Sequence, residues 1–550
     1  MTNPNAVGPA KATQPTQPPG APLTQPRVAL TAIAISALVV NIGFFIRRIK
    51  GSVIDDAFIT FTYSANIAKG LGATFSGGAR IEATSSILWA ALLAPFDFVG
   101  IGSPVGSQLL GALFAILTVY FSIDLCRKML AQSGDPFGWE WLSGLLLATT
   151  SSFALWSIYG MENSLVAFLL VIAIRVFASD LTRKHYVSLM PIVLLTLTRP
   201  EGFVFALVFA LLMLVSSFTT NTSTKARFFG TIWVAGLVTS MVLLETCRIF
   251  YYGDFFPNTA SVKVPHGQYF STLYVGIRYL LRPDSFLNTL LIVGSIGLFL
   301  VASFGQWNKS KQSVARSVLG CTLRAVQNTP IAITAGTMLL AQILFAALVG
   351  GDWMPDGRFL SHTMAVASPL FVWGVAHQVC ANPMKRWIPR LFLLVVVGYV
   401  AANACLTYNL DRGILRKYTA STADGLGVHG IVAFLNKTAR AGESVACPDI
   451  GYISYHFQGR VIDWYGLANR EIAKSGQGGG RIQPSTLLGM EPRFIVLYSN
   501  RPDLTESATG DGRTQISQRF LANAQFRREY RQVFSTMIWP SLYYTVWDRL

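Results

Sequence analysis

Long apolar runs alternate with short polar ones along most of this chain, and their length predicts membrane-crossing helices. A spanning helix needs about 20 mostly apolar residues. Runs of that kind lie near 28–46, 105–126, 142–159, 164–181, 186–199, 203–221, 229–250, 286–306, 329–349, 360–380 and 388–407, about eleven in all. Residues 85–101 (SSILWAALLAPFDFVGI) are apolar but short and interrupted by Pro95 and Asp97, which reads as a juxtamembrane or re-entrant helix. From about Thr407 the hydropathy falls. There Gly427 to Lys437 reads as an amphipathic helix, and Ser444 to Ile450, Arg460 to Asp463 and Phe494 to Tyr498 read as strands. The expected organisation is a tail over 1–27, a transmembrane domain over 28–407 with a first outer loop over 47–104, and an extracytoplasmic α/β domain over 408–550.

Composition fits a polytopic α-helical membrane protein. Of 550 residues 52% are hydrophobic and 13% charged, against about 25% charged in soluble domains; the mean hydropathy is +0.45. The net charge of +17 raises nucleic acid as a partner, but its placement argues against one. Arg127-Lys128, Arg183-Lys184, Lys225/Arg227, Lys309/Lys311/Arg316/Arg324 and Lys385/Arg386/Arg390 fall in every second loop, as orientation signals do. That alternation puts the N-terminus in the cytoplasm and the C-terminal domain outside. Arg47, Arg48 and Lys50 break the rule, and would meet a lipid phosphate or anchor in headgroups. The first 27 residues, rich in Pro, Thr, Gln and Ala, are expected to be disordered. A cleavable signal peptide is the competing reading of 1–50, disfavoured by the long polar leader and the closing Arg47-Arg48-Ile49-Lys50. Of six cysteines, only Cys447 falls in the polar C-terminal region, and no spacing is of the metal-binding type.

The candidate chemistry gathers in the loops assigned to the outer side. Asp55 and Asp56, in IDDAF (54–58), follow the first apolar run, where charge is costly unless it meets water or does chemistry. YGMEN (159–163) brings Glu162, TRPEG (198–202) brings Arg199 and Glu201, and YYGDFFPNTASVK (251–263) brings Asp254, Asn258 and Lys263, with His266 just beyond. GGDWMPDGRF (350–359) brings Asp352, Trp353, Asp356 and Arg358, an apolar edge among charges that suits a sugar ring or a lipid. The opposite loops carry little but Lys and Arg. One composite site at the membrane boundary is the expectation. The bland readings stand beside it: Glu162 and Glu201 as turn or helix-end residues, Arg199 paired with Glu201, Lys263 and His266 as surface residues. Glu245 and Arg248, three apart on one span, read as a structural ion pair.

The run IDDAFITFTYSANIAKGLGATFSGGARIEATSSILW resembles the first outer loop of GT-C glycosyltransferases, and in particular the actinobacterial terminal β-(1→2)-arabinofuranosyltransferase family. Asp55, Asp56, Asn66, Gly70, Gly72, Glu82 and Trp89 match that pattern. So do the Gly-Met-Glu and Arg-Pro-Glu-Gly turns, Pro257-Asn258-Thr259 with Lys263, and GGDWMPDGRF. Asp449-Ile450-Gly451-Tyr452 and Val461 to Leu467 fit as well, so the resemblance runs over about residues 28–475. It departs at Thr62, where an Arg is common, and at Ala83-Thr84, which replace a Gly-aromatic pair; arabinose specificity is therefore not carried over. The resemblance implies a GT-C fold in a bacterial inner membrane, a polyprenyl-phosphate sugar donor (the sugar a pentofuranose or another), and a glycan or glycoconjugate acceptor.

Such a donor leaves as a phosphate anion, so the chemistry asks for one carboxylate to take the acceptor proton and cations to hold the phosphate. Asp55 or Asp56 would be the base, and Arg199, Lys263, His266 and Arg358 the phosphate candidates. Glu82, Glu162, Glu201, Asn258, Asp352, Trp353 and Asp356 are candidates for substrate contact. A divalent metal bridging Asp55-Asp56 and the phosphate is left open by the spacing. Attack from one face predicts inversion; two flanking carboxylates would allow retention. A flippase for lipid-linked sugars and a non-catalytic glycan-binding scaffold are the alternatives, although neither an internal repeat nor a midplane polar site is evident.

Overall fold

The computed structural model of the chain describes residues 25–134, 138–183, 185–218, 223–263, 269–309, 329–381, 387–410, 425–440, 442–503 and 512–550. Most of the 1–27 tail, His266 and parts of several basic loops lie outside the described residues. Every apolar run named above contains a helix among the described residues. Among the described residues eight helices are long and apolar enough to cross a membrane, or nine if a bent pair counts as one span. Of the eleven candidate runs, 186–199 contains a helix of only eight residues, Leu189–Thr196, about 12 Å long and too short to cross alone. Glu201–Ser217, with 17 residues, is borderline. Ile87–Phe98 has 12 residues, about 18 Å at 1.5 Å per residue, which fits a juxtamembrane element.

The bent pair shows why apolar length alone miscounts spans. Glu140–Thr149 and Ser151–Ile158 meet at 63°. At the break Thr150 Oγ1 donates to the Leu146 carbonyl (2.8 Å) and sits 2.9 Å from the Tyr399 hydroxyl. The freed Ser151 N–H finds Asn403 Oδ1 at 3.1 Å. A break inside hydrocarbon persists only when neighbouring side chains meet the released backbone groups, and Trp387–Leu410 supplies them here. Close approach elsewhere depends on small residues. A Cβ on Gly111 would lie 1.8 Å from the Ser157 carbonyl oxygen, so these helices touch backbone to side.

The C-terminal domain is a five-stranded sheet in the order β2-β1-β3-β5-β4. Here β1 is Ser444–Cys447, β2 Arg460–Asp463, β3 Phe494–Ser499, β4 Tyr530–Trp539 and β5 Leu542–Arg549. β1 pairs in parallel with β2 and β3, while β5 runs antiparallel to β3 and β4. The helix Gly427–Thr438 buries Val428, Ile431, Val432 and Leu435, the apolar face its sequence spacing promised. β3 is buried along its whole length, as a central strand should be.

Two apolar cores exist, and the sequence boundary at 408 does not separate them. The first joins the spanning helices. The second holds the C-terminal sheet together with Ile59, Tyr63, Phe75, Ala83 and Ala90 of the first loop. That loop is thus a shared element of both halves. It is built on the helix Asp55–Ala68, which lies against Ile87–Phe98 on one side and Gly451–His456 on the other.

Candidate functional site

The turns carrying the candidate residues are stitched together at the end of the bundle that bears the C-terminal domain. Ile54 N–H donates to the Tyr159 carbonyl (3.2 Å), joining IDDAF to YGMEN. Gly160 is the residue that lets them meet: it has a positive φ of 96°, and a Cβ there would come within 2.8 Å of Ala57. Leu88 N–H donates to the Leu197 carbonyl (3.1 Å), joining the first loop to TRPEG.

Within this layer three groups of side chains are distinct. The first is buried and ionic. Arg199 donates through Nη1 to Glu162 (2.8 Å) and through Nε to Glu201. Its guanidinium lies over the Phe359 ring at 5.3 Å. Arg358 pairs through Nε with Asp352 and lies over Trp156 and Phe359. Arg358's two Nη nitrogens make no hydrogen bond among the described residues. Asp356 accepts from Ser151 Oγ (2.9 and 3.0 Å), and burial, reinforced by Asp284, raises its carboxyl to about 8. Trp353 is exposed beside them.

Sequence reasoning missed three members of this group. Arg282 donates to the Asp352 and Met354 carbonyls (2.9 and 3.1 Å) and pairs with Asp284. Asp284 in turn accepts from Asp356 N–H (3.0 Å). The signal was present, because Arg282-Pro283-Asp284 repeats the Arg-Pro-acid spelling of Arg199-Pro200-Glu201. In both, the proline stands at a helix start and Arg reaches the acid two residues on. His362, fully buried, has no hydrogen-bond partner for either ring nitrogen among the described residues; burial holds it neutral, down to about 4.

The second group lies between the first loop and the C-terminal domain. Arg248 pairs with Glu245, as its spacing implied, and also with Glu82. Burial raises the Glu82 carboxyl, and Arg248 opposes that shift. Asn258 donates to the Gly466 and Leu467 carbonyls (2.7 and 2.8 Å), and Asp254 pairs with Arg470 and Lys474. These contacts clamp the two halves of the chain. A cavity of about 170 Å³ opens there, lined by Asp254, Phe255, Phe256, Asn258 and Lys474. Lys263 ends the short helix Asn258–Lys263.

The third group is centred on Asp55. Its Oδ1 accepts from Tyr452 N–H (2.8 Å) and its Oδ2 from Gly451 N–H (3.1 Å), at the start of Gly451–His456. Burial, then the nearby Asp449, raises the Asp55 carboxyl to about 7, against the lowering effect of the Tyr452 amide. Asp56, half-buried, adds to the rise.

The expectation of one composite pocket therefore needs correcting in its detail. The loops do form one layer, but among the described candidates only Asp254 and Asn258 line the cavity. The Arg199 fork is occupied by two buried glutamates, which would be stranded by its withdrawal. Asn258 and Glu82 act as struts. Nor do the residues fit a metal centre. Both Asp55 oxygens accept amide hydrogens, and no three His, Cys, Asp or Glu side chains are grouped for a metal among the described residues.

These features make the chain a multi-pass membrane protein with a helical bundle capped by a mixed α/β domain. Its fold is similar to a single-particle cryo-EM structure of the arabinofuranosyltransferase AftD from mycobacteria, at a TM-score of 0.50 and 11% identity. The likeness covers 95% of this chain and 40% of that one, so the chain spans less than half of that transferase. Residues 416–547 match a family described as a domain of unknown function, DUF8728. No curated protein matches the chain.

Proposed function

We propose that the chain is a membrane glycosyltransferase of the GT-C type, which moves a sugar from a polyprenyl-phosphate donor to a glycan or glycoconjugate outside the cytoplasm. The observation that carries this reading is the Asp55 carboxyl: it stands on the first-loop turn, joined to the acid–arginine layer, and is raised to about 7. A base works best when its pKa lies near the ambient pH. The shared bundle-and-cap fold supports the same reading.

In the reaction Asp55 takes the proton of the acceptor hydroxyl as its oxygen bonds to the anomeric carbon. The bond from that carbon to the phosphate oxygen breaks, and the phosphate leaves with the electron pair. Arg358, whose Nη nitrogens make no hydrogen bond among the described residues, holds the developing charge. A single displacement of this kind inverts the anomeric carbon. Asp55→Asn in purified protein, with a panel of polyprenyl-phosphate pentoses and hexoses and glycan acceptors, tests it. Product from wild type and none from the variant is the expected result. Equal product from both, or translocation of donor without product, defeats the assignment.

A further inference from the structure

A seam that served only to hold two halves together would set an acid against a base, as Asp254 does with Arg470 and Lys474. At Asp55 the C-terminal domain instead presents another acid. Asp449 lies two residues before Gly451, on the turn whose amides bind Asp55, and is the strongest charge acting on it. Its Oδ2 accepts from the Tyr498 hydroxyl (2.6 Å) and from that of Tyr544. Those tyrosines are register partners on β3 and β5, with rings stacked 5.4 Å apart, so the sheet itself fixes the Asp449 carboxylate. A carboxylate fixed beside Asp55 disfavours the ionised form of Asp55.

We propose that the C-terminal domain tunes the transfer site through Asp449, a positioning residue clamped by Tyr498 and Tyr544 that governs when Asp55 carries its proton. This rests on Asp55 being the base. The other titratable groups around Asp55 are Asp56 on its own helix, Cys447 on β1 and Tyr544 on β5. His429 and His456 flank Tyr452 at 4.1 Å each. Asp97 on the neighbouring helix is engaged by Ser64, Ser103 and Tyr455. Of this set, Asp449 is the one that shares its turn with the amides binding Asp55, and two tyrosine hydroxyls hold it there.

Asp449→Asn tests the proposal, since the amide keeps the volume and still accepts from a tyrosine. The measurement is an isotope-edited infrared titration of the full chain in lipid nanodiscs, with the Asp55 band assigned by difference against Asp55→Asn. Wild type should titrate near 7, and Asp449→Asn about one unit lower, the size of shift a neighbouring charge imposes. An unshifted midpoint overturns the proposal. So does a wild-type Asp55 that titrates in the ordinary carboxylate range. Complementation of a deletion strain, read by mass spectrometry of envelope glycans, separates this from the wider reading. If Asp55→Asn restores the glycans, the transferase reading falls. If it does not, and Asp449→Asn leaves the midpoint in place, only the positioning role falls. With both intact, Asp449→Asn should raise glycan output at pH 5.5 by roughly five- to tenfold relative to wild type, from the larger ionised fraction.

Discussion

Gly451→Ala is the sharpest probe of the seam between the first loop and the C-terminal domain. A Cβ at this position would lie 1.9 Å from the Asp55 carbonyl oxygen, 2.6 Å from its carbonyl carbon and 2.7 Å from Oδ2. Two of those three atoms are backbone, so no rotamer change relieves the clash. Ordinary contact requires the seam to open by roughly 1.5 Å. The hydrogen bonds from Gly451 and Tyr452 to Asp55, now 3.1 and 2.8 Å, then pass beyond bonding distance. Hydrogen bonds to a charged acceptor contribute about 1.5–3 kcal/mol each, and water recovers part of the loss, so the seam should weaken by about 3 kcal/mol. The short helix itself should not suffer, because Ala is the better helix former. Hydrogen–deuterium exchange of the full chain should show lost protection in residues 451–456 and 55–68. Gly489→Ala, whose Cβ would meet nothing nearer than 3.4 Å, serves as the control and should change neither. Unchanged exchange and melting temperature in Gly451→Ala would refute the steric argument.

The remaining predictions concern the buried charges and their titration. Arg199→Met should destabilise the chain by about 3–5 kcal/mol, because Glu162 and Glu201 would be left buried without a cation; a variant that melts like wild type would show that the arginine is not structural. Arg282→Ala should cost about 2–3 kcal/mol, through the lost bonds to the Asp352 and Met354 carbonyls and an uncompensated Asp284; a shift in melting temperature measures it. Asp55, Asp463 and Asp356 are raised to about 7, 6 and 8. Each folded carboxyl binds its proton more tightly than the unfolded one, so its contribution is full below about pH 4 and is lost as pH rises through its folded value. Thermal stability should therefore fall between pH 5 and 8, and Asp55→Asn should flatten part of that slope.

The helices were legible because a run of about 20 apolar residues admits few alternatives. Their number was not, because 142–159 reads as one apolar run although Thr150 breaks it, and the side chains that stabilise the break come from residues 399 and 403. The first three strands were readable with their order of appearance. β4 and β5 escaped because Tyr530–Trp539 and Leu542–Arg549 mix aromatic, polar and charged residues without clean alternation, and β4 carries register shifts. At the site, the ionic layer was visible as acids and arginines in loops. Which partner each would take was not, since Glu162 finds Arg199 across 37 positions and Glu82 finds Arg248 across 166.

The two Arg-Pro-acid turns explain why so much charge can be kept at a membrane boundary. Burying an arginine or a carboxylate alone costs several kcal/mol. Each turn fixes its own pair: proline starts the helix, the acid sits in its first turn where the helix dipole favours it, and Arg folds back onto it. The two preassembled pairs then grip the residue 350–359 loop from two sides. Arg199 stacks on Phe359, while Arg282 holds the carbonyls of Asp352 and Met354. Asp352 is thereby fixed as the partner of Arg358, and that pairing leaves the Arg358 Nη nitrogens uncommitted. Under the proposed function, Arg358 is the arginine left to meet an anionic leaving group. Arg199, the arginine in the more recognisable motif, is spent on holding the scaffold that positions it.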